Sequence, residues 1–372
     1  MSLDFLYLDE SDMLKAGVLD MSRCVQSIDD MFHTMGEGDY LMGSPSENHH
    51  GMMIWFPINE RVGKMPVAGP DRRFMAMPAY LGGRFYICGN KWYGSNVKNQ
   101  EKGMPRSVLT VMLNDVDTGA PVALMSANLL SSMRTGAVPG VATKYLQKKD
   151  ASVVGIVGAG VVSRSCLLGI SETISVKGEA KVYDIFPEKA KKFCEEMQSQ
   201  TSLRLRPVAT MKEAICDSDV VSVAASGLHP VDIPDEWIKP GAIYLATGTA
   251  NFSNEAYEKY NVVFDNWKMH KDWLDELRNE PERLLSVNAG HPSATLLLKV
   301  AAGEADGSKM ISLGDVIANP NQFGRKSDED VFIFLTGGMG TEDVAWGYDV
   351  FTRAVELGIG KKLSLWDKPH WA

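Results

Sequence analysis

The chain has 372 residues, 45% of them hydrophobic and 23% charged, which is enough for two domains with buried cores and is ordinary for a soluble globular protein. A net charge of −9 with no long basic run excludes nucleic acid and anionic membrane as partners. No charged-then-apolar leader and no apolar run of membrane-spanning length is present, so a cytoplasmic protein is expected.

The five cysteines (Cys24, Cys88, Cys166, Cys194, Cys216) are well separated and never form a CxxC pair. They imply neither a zinc site nor a disulfide framework. The seven histidines form no HxxxH or HExxH pattern, so no metal site is expected.

In chain order, Phe5–Leu8 reads as a strand. A helix beginning near Asp20 follows, with Val25, Ile28 and Phe32 on one face. Residues 50–125 look strand-rich: Met52–Phe56, Phe74–Met77, Arg84–Cys88, Val108–Asn114 and Val122–Ser126 are short apolar runs. Turn signals such as Gly82-Gly83 and Asp117-Thr-Gly119 separate them. Residues 127–147 read as one helix, because Ala127, Leu130, Met133, Ala137, Val141 and Tyr145 recur at three- and four-residue spacing.

From 151 to about 320 the pattern changes to alternating strands and helices, the mark of a parallel sheet with helices on both faces. Its first strand, Val153–Val157, runs into Gly158-Ala159-Gly160-Val161-Val162-Ser163, followed by a helix. Strand, glycine turn and helix make a seat for a dinucleotide pyrophosphate. Gly158 makes the turn, Gly160 lets backbone approach the phosphates, and the helix N-terminus faces the anion. Ser163 stands at the third glycine position, small enough for close helix–strand packing. The next strand ends in Asp184, placed to accept hydrogen bonds from the adenosine ribose hydroxyls and to repel a 2′-phosphate. NAD is therefore expected over NADP, although Lys181 and Lys189 stand nearby. Thr210-Met-Lys-Glu213 signals a helix start, and Val220–Ala225, Ile243–Thr247 and Val262–Phe264 read as further strands. Ligands of open parallel sheets lie beyond the carboxyl ends of the strands, so Ala225-Ser226-Gly227 and Thr247-Gly248-Thr249 are expected beside the nicotinamide.

The expected fold is thus α/β. A Rossmann-type doubly wound parallel sheet over 146–324 binds NAD. A second α+β domain, for substrate and dimerisation, combines 1–145 with 325–372.

Several motifs resemble the ornithine cyclodeaminase/mu-crystallin family. They are Met77-Pro-Ala-Tyr80 followed by Lys91, Asp117-Thr-Gly-Ala-Pro121, Met133-Arg-Thr-Gly-Ala137, Gly158-Ala-Gly160, Pro240-Gly241, Leu313-Gly-Asp-Val316 and Glu342-Asp343. The resemblance implies a homodimer with a substrate domain built from both chain ends. It also implies that Arg134 holds the substrate carboxylate, a task suited to a guanidinium's bidentate fork. Lys91 would stand beside the reacting carbon as acid and base, with the neighbouring Arg134 charge lowering its pKa. Arg61 matches a second carboxylate-binding arginine, with Arg72-Arg73 as competitors for that role.

Cyclodeaminases carry an aspartate where this chain has Ala250 in Gly248-Thr-Ala250-Asn251. The primary expectation is an NAD-dependent oxidoreductase acting on the C–N bond of an amino acid, an imine or a related amine. One alternative is an ammonia lyase that recycles its NAD internally, with Glu255 or Asp265 replacing the missing acid. The other is a cofactor-dependent binding protein or accessory subunit without turnover. The segments Lys91-Trp-Tyr93 and Asn266-Trp-Lys268 are candidate walls of an aromatic pocket.

Overall fold

The computed structural model describes residues 2–69, 71–225, 229–279 and 292–371. Its contacts divide the chain into two compact units. One comprises Met1–Asp20, Gly38–Arg134 and Met339–Ala372; the other comprises Met21–Glu37 and Thr135–Gly338.

The first unit is built on a mixed sheet. Its strands in chain order are Leu3–Leu8 (β1), Tyr40–Met42 (β2), Met52–Trp55 (β3), Arg73–Leu81 (β4), Ile87–Ser95 (β5), Ser107–Asp115 (β6) and Pro121–Ser126 (β7). The C-terminal strand Lys361–Trp366 pairs antiparallel with β1, and the path continues β1-β7-β6-β5-β4-β2, with β3 also on β4. Side chains alternate across the sheet. On β4, Met75, Met77, Ala79 and Leu81 are buried while Phe74 and Pro78 face out. The buried face lies under the helix Gly340–Leu357: a β-carbon at Gly340 would touch Met77 O, and one at Gly347 would touch Val111 and Met125.

Register explains the proline in Met-Pro-Ala. β3 pairs with residues 73–76 of β4 and β2 with residues 79–81, so Pro78 sits in the gap between them. A missing N–H breaks no ladder bond there. The run Arg84–Cys88, expected as a strand, splits instead. Gly83 and Tyr86 turn the chain at φ +54° and +40°, and β5 starts at Ile87.

The second unit carries a parallel sheet. Its strands are Val153–Val157 (β8), Glu179–Tyr183 (β9), Arg204–Pro207 (β10), Val220–Val223 (β11), Ile243–Ala246 (β13), Asn261–Phe264 (β15), Ile311–Ser312 (β16) and Phe332–Leu335 (β17). The short strands Val231–Asp232 (β12) and Ala250–Asn251 (β14) pair with each other. The spatial order is β10-β9-β8-β11-β13-β17-β15-β16, every pair parallel. The chain moves outward from β8 to β10 and then crosses back to β11, so the order reverses between β8 and β11, where ligands of such sheets bind. Every residue of β11, β13 and β17 is buried, as expected for strands covered on both faces.

The boundaries expected at 145/146 and 324/325 differ from this division for two physical reasons. The helix Met21–Gly36 packs within the second unit: Asp29 accepts from Lys144 Nζ at 2.7 Å, His33 meets Tyr145 Oη at 3.0 Å, and a Gly36 β-carbon would lie 2.6 Å from Gly314 O. In addition, β17 inserts between β13 and β15, which holds the chain in this unit up to Gly338.

The helix Asn128–Leu146 supplies Thr135–Leu146 to the second unit, where it crosses the helix Val161–Thr173 on small residues. A β-carbon on Gly136 would collide with the Ser165 backbone, and one on Gly140 would come within 2.6 Å of Gly169 O. The glycine of Arg-Thr-Gly-Ala is thus a helix-crossing residue. Gly136→Ala should destabilise the fold by about 1–3 kcal/mol through overpacking, read as a lower urea midpoint.

Candidate functional site

The second unit presents the glycine turn. Gly158 has φ +95°, and a β-carbon on it would lie 2.8 Å from Ala225 Cα, so both conformation and space demand glycine. Gly160 is the N-cap of the helix Val161–Thr173, with φ −88° and no side-chain cap. A β-carbon there would meet nothing within 4 Å. The open space beside uncapped helix N–H groups fits a phosphate pair. Val161 and Val162 are exposed beside it, and Ser163 is fully buried against the sheet.

Asp184, at the end of β9, accepts from Ala159 N at 2.8 Å and from Phe186 N at 3.0 Å. Its carboxylate thereby fixes the glycine turn, and the lone pairs left over can receive ribose hydroxyls. Lys181 is buried and donates to Cys216 O at 2.9 Å, while Lys189 Nζ lies 4.4 Å from the centre of the Phe186 ring. Neither forms an ion pair with Asp184. Ala225, beyond β11, is wedged between Gly158 and Gly248, whose β-carbon would come 2.6 Å from Ala225 O. Thr247 Oγ1 accepts from the Cys166 thiol at 3.7 Å; burial pushes that thiol up to about 11. Thr249 O accepts from Val231 N at 2.9 Å. Ser226 lies outside the described residues.

The first unit holds a buried ion cluster. Lys91, on β5 opposite Met77 and Val111, is 3% exposed, and its Nζ donates to Asp343 Oδ2 at 2.7 Å. Arg134 is also buried. Its Nε donates to Asp343 Oδ1 at 3.2 Å, its Nη1 to Glu342 Oε2, and its Nη2 to Ser131 Oγ at 3.3 Å. Glu342 and Asp343 have no exposed surface and lie in the first turn of the helix Gly340–Leu357, whose dipole favours anions there.

Burial pushes the Lys91 pKa down to about 8, with help from the Arg134 charge and against the pull of Asp343 and Glu342. For Arg134 burial also opposes the charge, but Asp343 and Glu342 outweigh it and raise the pKa. Lys91 keeps two N–H donors, and Arg134 two of its five, with no partner among the described residues. The cluster can receive a carboxylate and exchange a proton beside it.

Sequence reasoning named Lys91 and Arg134 as site residues but not Glu342 and Asp343. Those acids stood out only as a family motif. Arg61 is exposed and makes no hydrogen bond or ion pair among the described residues. Arg73 instead sits 5.8 Å from the centre of the Tyr93 ring, the same ring that Lys91 Nζ approaches at 5.7 Å. Trp92, read as a pocket wall, is 42% exposed on the outer face of the sheet.

Ala250 is buried on β14. Of the acids considered as replacements for a carboxylate there, Glu255 is exposed in the helix Asn254–Lys259. Asp265 is fully buried and committed: it accepts from His270 at 2.8 Å, Asn266 N at 2.8 Å, Gly337 N at 2.5 Å and Gly338 N at 3.0 Å. Burial would raise its pKa, but these donors hold it below the usual range. Among the described residues no group of three or more His, Cys, Asp or Glu side chains is arranged to hold a metal ion. No helix among them is long and apolar enough to cross a membrane.

Comparison with known proteins agrees with these features. The chain is 27% identical over 373 residues to the N-((2S)-2-amino-2-carboxyethyl)-L-glutamate dehydrogenase of Staphylococcus aureus, covering 98% of this chain and 100% of that one. It is 30% identical over 296 residues to the alanine dehydrogenase of Archaeoglobus fulgidus, covering 77% of this chain and 82% of that one. Among solved structures, the Thermococcus litoralis Delta(1)-pyrroline-2-carboxylate reductase in complex with NADH and L-proline superposes with a TM-score of 0.77 at 26% identity. That match covers 96% of this chain and 100% of the other. The model of the ornithine cyclodeaminase/mu-crystallin family matches residues 19–358, and the chain belongs to that family.

Proposed function

We propose that the chain is an NAD-dependent oxidoreductase that moves a hydride to or from the carbon of a C–N bond in an amino acid, an imine or a related amine. The observation that carries this reading is Lys91: an enclosed amine with its pKa lowered to about 8, beside an arginine with donors to spare. An amine in that state exchanges protons near neutral pH, which is the assistance this reaction needs. The named relatives act on amino acids and cyclic imines, and one was solved with NADH.

The second unit would hold the dinucleotide, with Gly158, Ala159, Gly160, Val161 and Val162 around the pyrophosphate. Asp184 would hold the ribose, and Ala225, Thr247, Gly248 and Thr249 would line the nicotinamide side. When bound, the cofactor supplies the carbon that accepts or donates hydride. The first unit would hold the substrate. Arg134 fixes the carboxylate through its two remaining N–H groups. In oxidation the substrate carbon loses hydride, neutral Lys91 takes the proton from the nitrogen, and a C=N bond forms. In reduction, protonated Lys91 returns that proton to the nitrogen. Asp343 keeps Lys91 oriented in both directions, and Glu342 with Asp343 balances the arginine charge.

The ammonia-lyase alternative requires a free acid for a second amino group. Ala250 offers none, Glu255 is exposed and Asp265 is already saturated, so hydride transfer is the better reading.

A homodimer fits the outer face of the first sheet. Met52, Ile54, Phe74, Trp92, Val108 and Met112 are all exposed there, with Phe74 and Trp92 stacked at 5.9 Å. An apolar face of this kind on a regular sheet suits a second copy related by twofold symmetry. Five free thiols suit a reducing, cytoplasmic location.

Three measurements test this reading. Gly160→Ala should leave thermal stability unchanged, because the added carbon meets no protein atom, yet weaken NAD binding by about 10-fold or more in calorimetry as it fills the phosphate space. The pH profile of kcat/KM should rise through about 8 in the oxidative direction and fall through it in the reductive direction. Asp343 raises the Lys91 pKa, so Asp343→Asn should move both limbs to lower pH. Trp92→Glu should halve the mass seen by light scattering.

A further inference from the structure

The face of β4 and β5 that carries Lys91 also carries a second group of cations. Arg73 lies opposite Ser95, Met75 opposite Tyr93, and Met77 opposite Lys91, so Arg73, Tyr93 and Lys91 share one side of the sheet. Arg73 reaches back over the Tyr93 ring and also lies 5.4 Å from the centre of the Trp55 ring. Its Nη1 donates to Asp71 and its Nη2 to Tyr93 Oη at 3.4 Å. Its Nε is enclosed and has no hydrogen-bond acceptor among the described residues. A buried guanidinium N–H without an acceptor is costly and calls for an explanation.

The neighbouring charges sharpen the point. Arg106 Nε pairs with the same Asp71 at 2.7 Å, and Ser95 also donates to that carboxylate. Two arginines therefore share one aspartate, which leaves one positive charge in excess. The Lys91, Arg134, Glu342 and Asp343 cluster carries none when all four groups are ionised. Asp71 itself sits at φ 51°, a left-handed conformation that aspartate tolerates better than most residues and that turns the chain into β4.

We propose that Arg73, with Arg106 beside it, receives a second carboxylate of the substrate. The preferred substrate class is then an amino acid, or its imine, with a distal anionic group on its side chain or on its nitrogen. The proposal rests on the oxidoreductase reading and names its substrate class. The first carboxylate goes to Arg134 and the reacting nitrogen to Lys91. The distal carboxylate lies along the β5 face at the accessible part of the Arg73 guanidinium, whose side chain keeps 23% of its surface exposed, with the Tyr93 ring as the floor between. Four residues of strand, about 13 Å, separate the levels of Lys91 and Arg73, and the two long side chains shorten that gap by leaning on the same ring. A carboxylate several bonds from the nitrogen spans what is left, whereas the side chain of alanine cannot.

The test uses probes that differ only in distal charge: L-glutamate against L-glutamine, and N-carboxymethyl-L-alanine against N-carbamoylmethyl-L-alanine. Binding to the full chain with NADH present is measured by calorimetry, and kcat/KM with NAD by absorbance. The wild-type chain should prefer the acid over the amide by about 10–100-fold, the worth of one charged hydrogen-bond pair. Arg73→Met should abolish that preference by weakening the acid probes far more than the amide probes, and Arg73→Lys should restore part of it. Because Arg73→Met strips Asp71 of a partner, the double variant Asp71→Asn with Arg73→Met serves as a charge-balanced second version. Equal binding of acid and amide by the wild-type chain overturns the proposal, as does an equal loss for both probes in the variants. Turnover of alanine without any charge preference sinks this inference and leaves the oxidoreductase reading standing. A charge preference in binding with no turnover of any amino acid overturns the oxidoreductase reading and the substrate class with it, and leaves Arg73 only as a carboxylate-binding group.

Discussion

Four ionisable side chains buried together in the first unit set the terms for the rest of it. Lys91 and Arg134 can remain there only because Asp343 and Glu342 are there too. Removing one member of such a group strands a charge in a poorly solvating interior, at a cost of about 3–5 kcal/mol. That constraint ties together a central strand, one end of the helix Asn128–Leu146 and the first turn of the helix Gly340–Leu357, which are far apart in sequence. It also tunes Lys91. Burial and Arg134 push the proton off and the carboxylates pull it back, and the balance falls near neutral pH. The same arrangement that costs folding energy thus prepares an amine for proton exchange.

In the second unit the corresponding constraint is steric. Gly158 and Gly248 close on Ala225 from two sides, and Gly136, Gly140 and Gly169 let two helices touch backbone to backbone. Gly160 differs from these five, since its missing side chain faces open space. The contrast separates glycines that serve packing from one that packing does not require.

The glycine turn, Asp184 and most strands were legible in the sequence because each is dictated by local chemistry: backbone conformation at one residue, or alternation over a few. The ion cluster was half legible. Nothing local shows that Asp343 will meet a lysine 252 positions earlier, and two acids opening a helix look like ordinary capping. Which of Arg61, Arg72 and Arg73 shares a sheet face with Lys91 could not be read either. Residues 56–72 have no periodicity to carry a register, and only the pairing of β4 with β5 puts Arg73 on the Lys91 side. The expected boundary at 325 differs from the observed division for a similar reason: nothing local shows that Phe332–Leu335 slots between β13 and β15 instead of staying with the C-terminal tail.

That late insertion has a consequence for biosynthesis. While the nascent chain is shorter than about residue 335, β13 and β15 have no strand to join them, and the interior of the parallel sheet stays open to solvent. The other sheet waits longer still, since β1 acquires its outer neighbour only when Lys361–Trp366 leaves the ribosome. Neither half can therefore mature early on its own, and a prematurely terminated polypeptide would expose sticky, largely apolar strand edges of the kind chaperones bind.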